Sequence, residues 1–199
     1  MALLSDRAGK TSDVVLLPAS LDDPSKSPPG LYRVGLLIAC GSILAFFAAL
    51  VVAFYWRAST PPFWAPIALP HTLWLSTAII LVSSVTFESA RRAYRRGSHP
   101  AAARLLMITA CLGAAFLASQ LAAWRTLVHH GYYLSQNPYS SFFYMFTGLH
   151  AAHLIGGLIA MFIVVLGRAT RRETVDAVAF YWHFLGGLWI ALFVILLTA

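Results

Sequence analysis

Charge is scarce in this chain: Asp, Glu, Lys and Arg make up only 11% of its 199 residues, against 59% apolar residues and a positive mean hydropathy. Its two cysteines, Cys40 and Cys111, lie far apart inside apolar stretches. That spacing fits neither a disulfide nor a metal site, and buried thiols commonly serve as small apolar residues. There is no paired-Cys copper motif, no C-x-x-C-H haem attachment and no Gly-rich phosphate loop. No run of acids occupies the apolar segments, as an ion pump would need. No period of about 20–50 residues recurs, which argues against a repeat array. The polar beginning of the chain lacks the basic-then-apolar order of a secretory signal. Nothing in the sequence reads as a complete active site.

What the chain does contain is length of apolar segment. Gly, Pro and charge clusters divide it into five stretches, 31–57, 67–94, 101–128, 140–167 and 175–198. A helix needs about 20 mostly apolar residues to cross a bilayer core of ~30 Å, and each stretch meets that length. The expected fold is all-α, an integral membrane bundle of five transmembrane helices. Residues 1–30 are expected to form a flexible cytoplasmic tail, and 31–199 the transmembrane domain. No room remains for a sizeable soluble domain.

The net charge of +7 does not point to nucleic acid, because of where the basic residues fall. Arg7, Lys10, Lys26 and Arg33 precede or open the first segment. Arg91, Arg92, Arg95, Arg96 and Arg104 lie between the second and third, and Arg168, Arg171 and Arg172 between the fourth and fifth. Only Arg57 and Arg125 fall at the other connections. The positive-inside rule then predicts a cytoplasmic N-terminus and a C-terminus on the opposite, periplasmic side.

Local signals add detail. Phe54-Tyr55-Trp56 closes the first helix with aromatics suited to a membrane interface. The Pro/aromatic connection 60–66 cannot be helical throughout, and its shortness predicts that the first two helices are antiparallel neighbours. Glu88 with Arg91 and Arg92 has i,i+3 and i,i+4 ion-pair spacing. Arg96-Gly97-Ser98-His99-Pro100 reads as a helix stop and restart, and Asn137-Pro138 as the turn into the fourth helix. Gly148, Gly156 and Gly157 predict close helix contact there.

Polar residues inside spans are the candidates for function. His150 and His153 are one helical turn apart and are expected to share a face. With His183 they offer three imidazoles, a donor set suited to Zn, Cu or Fe. The competing reading gives each a hydrogen bond to a backbone carbonyl, a hydroxyl or another helix. Glu88, the only candidate acid in the body of a span, lies toward the far end of its helix, so no carboxylate is expected to support a metal shell. Structural or lipid-facing histidines are therefore the favoured expectation, with no metal. Gln120 is expected to hydrogen-bond between helices. Glu88 reads as charge-paired at the interface or as a proton relay. The Arg91–Arg96 run reads as a topology signal and as a seat for anionic lipid head groups.

Two groups of these residues carry a family resemblance. Phe142-Phe143 and Thr147-Gly148-x-His150-x-x-His153-x-x-Gly156, together with Tyr181-Trp182-His183-Phe184 and Leu188-Trp189, resemble signatures of subunit III of the haem-copper terminal oxidases, the cytochrome c oxidase family. Gln120 falls where that family often has a glutamine, and the resemblance runs from about Thr72 to Ala199. Five helices match its shorter bacterial members.

The resemblance implies a multi-pass protein of the bacterial inner membrane that binds neither haem nor copper. It would pack beside the catalytic subunit I, with subunit II in the same complex and the haem and copper in those partners. It would also hold phospholipid and sustain proton uptake. His150, His153, Trp182, His183, Gln120 and Gly148 would serve lipid contact or subunit packing. Glu88, Arg91, Arg92, Arg95 and Arg96 would serve head groups or ion pairing at the inner face. Gly186, Ala123 and His71 stand where relatives often carry acids, which weakens a proton-relay role. The alternatives are the equivalent subunit of a quinol oxidase or a nitric oxide reductase and, in another class, a free-standing metal- or haem-binding membrane protein using His150, His153 and His183.

Overall fold

The computed structural model describes residues 31–60, 67, 69–134, 137–166 and 172–198. The expected tail, 1–30, and most of the Pro/aromatic connection lie outside the described residues. The elements are five helices: α1 (Leu31–Ala58), α2 (Thr72–Arg95), α3 (His99–His129), α4 (Pro138–Val165) and α5 (Arg172–Thr198). Their lengths run from 24 to 31 residues. At about 1.5 Å per residue, each exceeds a bilayer core of ~30 Å. All five are long and apolar enough to span a membrane, and no strand occurs among the described residues.

The boundaries follow local chemistry. α2 begins five residues later than its hydropathy predicts, because Pro70 and His71 form the entry turn; their carbonyls accept from the Leu73 and Trp74 amides at 3.1 Å. α2 and α3 are joined by Arg96-Gly97-Ser98, where Gly97 has φ +79°, a left-handed conformation that costs glycine little. Pro100 sits in the first turn of α3, and Pro138 in that of α4. Asn137 caps α4, its side-chain oxygen accepting from the Tyr139 amide at 3.0 Å.

The packing order differs from the order of the chain. α2 and α3 form a close hairpin, α5 and α4 lie against it, and α1 packs only on α4 and α5. The expectation that α1 and α2 are neighbours therefore fails: a short irregular connection limits how far the helices separate but does not bring their faces together. The core lies where α5 meets α2, α3 and α4. There Trp182 and Trp189 are fully buried, stacked with or edge-on to Phe87, Phe116 and Phe193. Each indole N–H donates to a hydroxyl of α2, Trp182 to Ser83 Oγ and Trp189 to Thr77 Oγ1, both at 3.1 Å. Aromatic side chains with a polar tip suit such an interior, since the ring packs and the N–H finds a partner.

Small residues admit these rings. A Cβ on Gly157 would lie 3.3 Å from Trp182 and one on Gly113 only 2.7 Å from it. Gly148 faces Trp124 at ordinary contact distance, whereas Gly156 is exposed with nothing near it, so the predicted close contact holds for Gly157 and fails for Gly156. Gly113, the tightest position, carries no sequence signal beyond being a glycine.

Candidate functional site

The predicted polar residues separate into two places. The first is an ionic cluster where the last turns of α2 meet the first turns of α5. Arg91 forks onto Glu88 with Nε–Oε2 at 2.8 Å and Nη2–Oε1 at 3.0 Å, and Arg92 Nε reaches Oε1 at 3.0 Å. These are the i,i+3 and i,i+4 pairs expected from spacing. The tertiary half was not expected: Arg95 Nη2 donates to both oxygens of Asp176 at 2.9 Å, and Arg91 Nη1 approaches Asp176 at 3.5 Å. Planar guanidinium forks on carboxylates fix orientation as well as charge. Arg95 and Asp176 are substantially exposed, so an isolated pair of this kind contributes ~0–1 kcal/mol at most. Its larger effect is to register α2 against α5.

His183 belongs to this cluster. Its Nε2 is 3.9 Å from Glu88 Oε2, and its ring lies edge-on to Phe87. The expectation that no carboxylate lies near a histidine is thus corrected. Glu88 in the second half of α2 and His183 in the first half of α5 meet because the two helices are antiparallel. Arg96 is exposed and ends α2 through its backbone N–H, which donates to the Arg92 carbonyl at 3.1 Å.

The second place is the contact of α3, α4 and α5. His150 is 0% exposed, with its ring 5.8 Å from Phe116 and 5.3 Å from Trp189. His153 turns elsewhere: its ring lies 5.8 Å from Phe47 of α1, and Nδ1 is 2.7 Å from the Leu149 carbonyl. The two histidines, left about 60° apart by their three-residue spacing, enter different contacts. That angle sends one toward α3 and α5 and the other toward α1. With His183 in the ionic cluster, no group of three or more His, Cys, Asp or Glu able to hold a metal occurs among the described residues.

Gln120 is 2% exposed on α3. Contrary to expectation, neither its side-chain oxygen nor its nitrogen has a hydrogen-bond partner, and the same is true of both ring nitrogens of His150. Its neighbours are satisfied. Ser119 bonds Ser76 of α2 at 2.7 Å, and Trp124 Nε1 donates to Thr147 Oγ1 at 3.0 Å. Unpaired polar groups away from water cost on the order of 2–7 kcal/mol each, so this pair is unusual inside the bundle. Of the three positions at which the resemblance implies an acid in relatives, Ala123 and Gly186 are buried and His71 is exposed. Ser84 Oγ lies 3.3 Å from where a Cβ on Gly186 would stand.

A sequence model of the family described as cytochrome c oxidase subunit III matches residues 27–198. The chain belongs to this family. Among curated subunit III relatives, the probable cytochrome c oxidase subunit 3 of Nocardia farcinica is 35% identical over 179 residues, covering 85% of this chain and 88% of that protein. Cytochrome c oxidase subunit 3 of Corynebacterium diphtheriae is 32% identical, covering 83% and 87%. Cytochrome bo(3) ubiquinol oxidase subunit 3 of Pseudomonas aeruginosa is 30% identical, covering 80% and 79%. The subunit III resemblance read from the motifs on α4 and α5 therefore extends over nearly the whole chain. The polar sites described above are features of a subunit III, in a complex with other oxidase subunits.

Proposed function

We propose that this chain is the non-catalytic subunit III of a bacterial haem-copper oxidase, supporting a separate catalytic subunit in oxygen reduction and aerobic electron transport. The single observation that supports this reading best is the family match over residues 27–198. The buried aromatic core and the separation of the three histidines agree with a packing role. In this reading subunits I and II are the partners and carry the haem and copper. The N-terminus lies in the cytoplasm, the C-terminus in the periplasm, and the membrane is the bacterial inner membrane, as the distribution of arginines favours.

Lipid completes the reading. The five helices carry many exposed large apolar side chains, among them Val85, Ile159 and Phe162, which suit acyl chains or a partner subunit. Arg92, Arg95 and Arg96 stand exposed at the inner end of α2, where phospholipid head groups would meet them. His153 and His183 sit part-exposed at the edges of the bundle, in reach of either.

The test is to tag the chain, solubilise native membranes gently, and record the optical spectrum and subunit masses of what co-purifies. A haem-bearing partner of catalytic size, with the chain colourless once separated, is the expected result. Recovery of the chain alone with its own haem would end the reading. The Nocardia and Corynebacterium relatives favour a cytochrome c-oxidizing complex, and the Pseudomonas relative supplies the second reading, a quinol-oxidizing one. A copper-bearing companion subunit selects cytochrome c as donor, and its absence from the purified complex selects quinol.

Glu88 is proposed to assist proton uptake from the inner face, paired with His183 and held by Arg91 and Arg92. Glu88→Gln in the intact complex is expected to slow turnover and hasten inactivation, while the chain still assembles. Unchanged turnover and unchanged inactivation kinetics would leave Glu88 as an ion-pairing residue only.

A further inference from the structure

We propose that His150 and Gln120 together bind an internal water molecule in the contact of α3, α4 and α5. The inference begins with position. On α3, Phe116 and Trp124 lie one helical turn before and one after Gln120, on the same face. Phe116 touches the ring of His150, and Trp124 bonds Thr147, one turn before His150 on α4. Gln120 is thus bracketed at the height of His150, across the same interface. Both side chains are buried, at 2% and 0% exposure, and their four polar atoms have no hydrogen-bond partner among the described residues.

The chemistry then selects the ligand. Gln120 presents an amide that donates twice and a carbonyl that accepts. Uncharged His150 presents one N–H and one lone-pair nitrogen. A direct bond between the two side chains would serve one atom of each and leave the other two unpaired. The neighbouring hydroxyls are already engaged: Thr147 donates to the Phe143 carbonyl at 2.7 Å while accepting from Trp124, and Ser119 pairs with Ser76. A water has two donors and two acceptors and is stably buried when about 2–4 polar groups surround it. Accepting from the Gln120 N–H and donating to its carbonyl, it serves both amide atoms and still has a site left for one imidazole nitrogen of His150. The rings of Phe116 and Trp189, 4.9 Å apart and edge-to-face, wall the site with apolar surface. A charged ligand finds no countercharge there, because among the described residues no ion pair includes His150.

The inference rests on the packing of this chain and not on its proposed role in the oxidase. It is tested on the unmodified chain in its purified complex, by electron cryomicroscopy at a resolution that shows ordered water. The expected map has density within hydrogen-bond distance of an imidazole nitrogen of His150 and of the Gln120 amide. A map with the two side chains bonded directly, or with no density between them, overturns the proposal. Thermal midpoints of His150→Phe, Gln120→Leu and the double variant give an independent reading. A shared water predicts that the double variant loses no more than the worse single variant. Fully additive losses would show that the two residues serve separate partners and would equally overturn it.

Discussion

Gly113→Leu is expected to lower the thermal midpoint of the detergent-purified chain more than any other single glycine replacement. A Cβ at this position would lie 2.7 Å from Trp182 Cη2 and 2.9 Å from Leu158 Cδ2. The leucine tip can shift, but the indole cannot. It is stacked on Phe87, donates to Ser83, and is backed by Gly157, whose Cβ would meet it at 3.3 Å. Gly113→Ala alone gains about 1 kcal/mol of helix propensity. Against that stands an overpacking cost of about 1–3 kcal/mol, so the net change is a loss that leucine enlarges. Differential scanning fluorimetry of the two variants measures it. Gly187→Leu, on α5 with nothing within 4 Å, is the control and should leave the midpoint nearly unchanged. The clashing atoms belong to the six-membered half of the indole, so adding Trp182→Phe to Gly113→Leu should recover part of the loss. A parent-like midpoint for Gly113→Leu would mean that α3 and α5 stand farther apart than described here.

Replacing Trp189 should reveal how packing and hydrogen bonding divide the stability of the core. Trp189→Ala removes a fully buried side chain that touches Phe116, His150, Trp74's partner Phe193 and, through its N–H, Thr77. Large-to-small changes of this kind cost about 3–5 kcal/mol. An interhelical hydrogen bond inside a membrane contributes only about 0.6 kcal/mol on average. Thr77→Val should therefore cost several-fold less than Trp189→Ala, and Trp189→Phe should fall between them. The same thermal series decides it. Equal losses for Thr77→Val and Trp189→Ala would make the hydrogen bond, and not the ring, the principal attachment of α5 to α2.

The number and approximate limits of the spans were legible in the sequence because bilayer thickness sets one length scale for every helix. Neighbour relations were not. The Pro-containing connection before α2 gave no information on where α1 would dock, and α1 packs on α4 and α5 instead. The same division runs through the polar residues. Glu88 with Arg91 and Arg92 could be read from spacing, since those contacts close within one turn. Glu88 with His183, and Arg95 with Asp176, depend on the antiparallel placement of α2 and α5, which no local pattern encodes. The motif histidines were found by type, yet their spacing misled. A separation of three residues is near enough to look like one site and far enough to enter two different contacts. Gly113 and the two indole–hydroxyl bonds could be found only by seeing what stands opposite them.

The isolation of α1 from α2 and α3 has a consequence for biogenesis. α1 emerges first from the ribosome, yet its packing partners α4 and α5 emerge last. Synthesis at about 5–20 residues per second makes the wait a matter of seconds, spent in lipid without a docking surface. Its sequence is suited to that wait, being the most apolar of the five spans, with its only charges, Arg33 and Arg57, near the ends. α2 is the opposite case. It is the least apolar span and carries a row of hydroxyls, but α3 follows it after a three-residue turn. Ser76 then meets Ser119 and Thr86 meets Thr109 as soon as the hairpin closes. The segment that must linger alone in the membrane is thus the one lipid dissolves most readily, and the segment it dissolves least is the one relieved first.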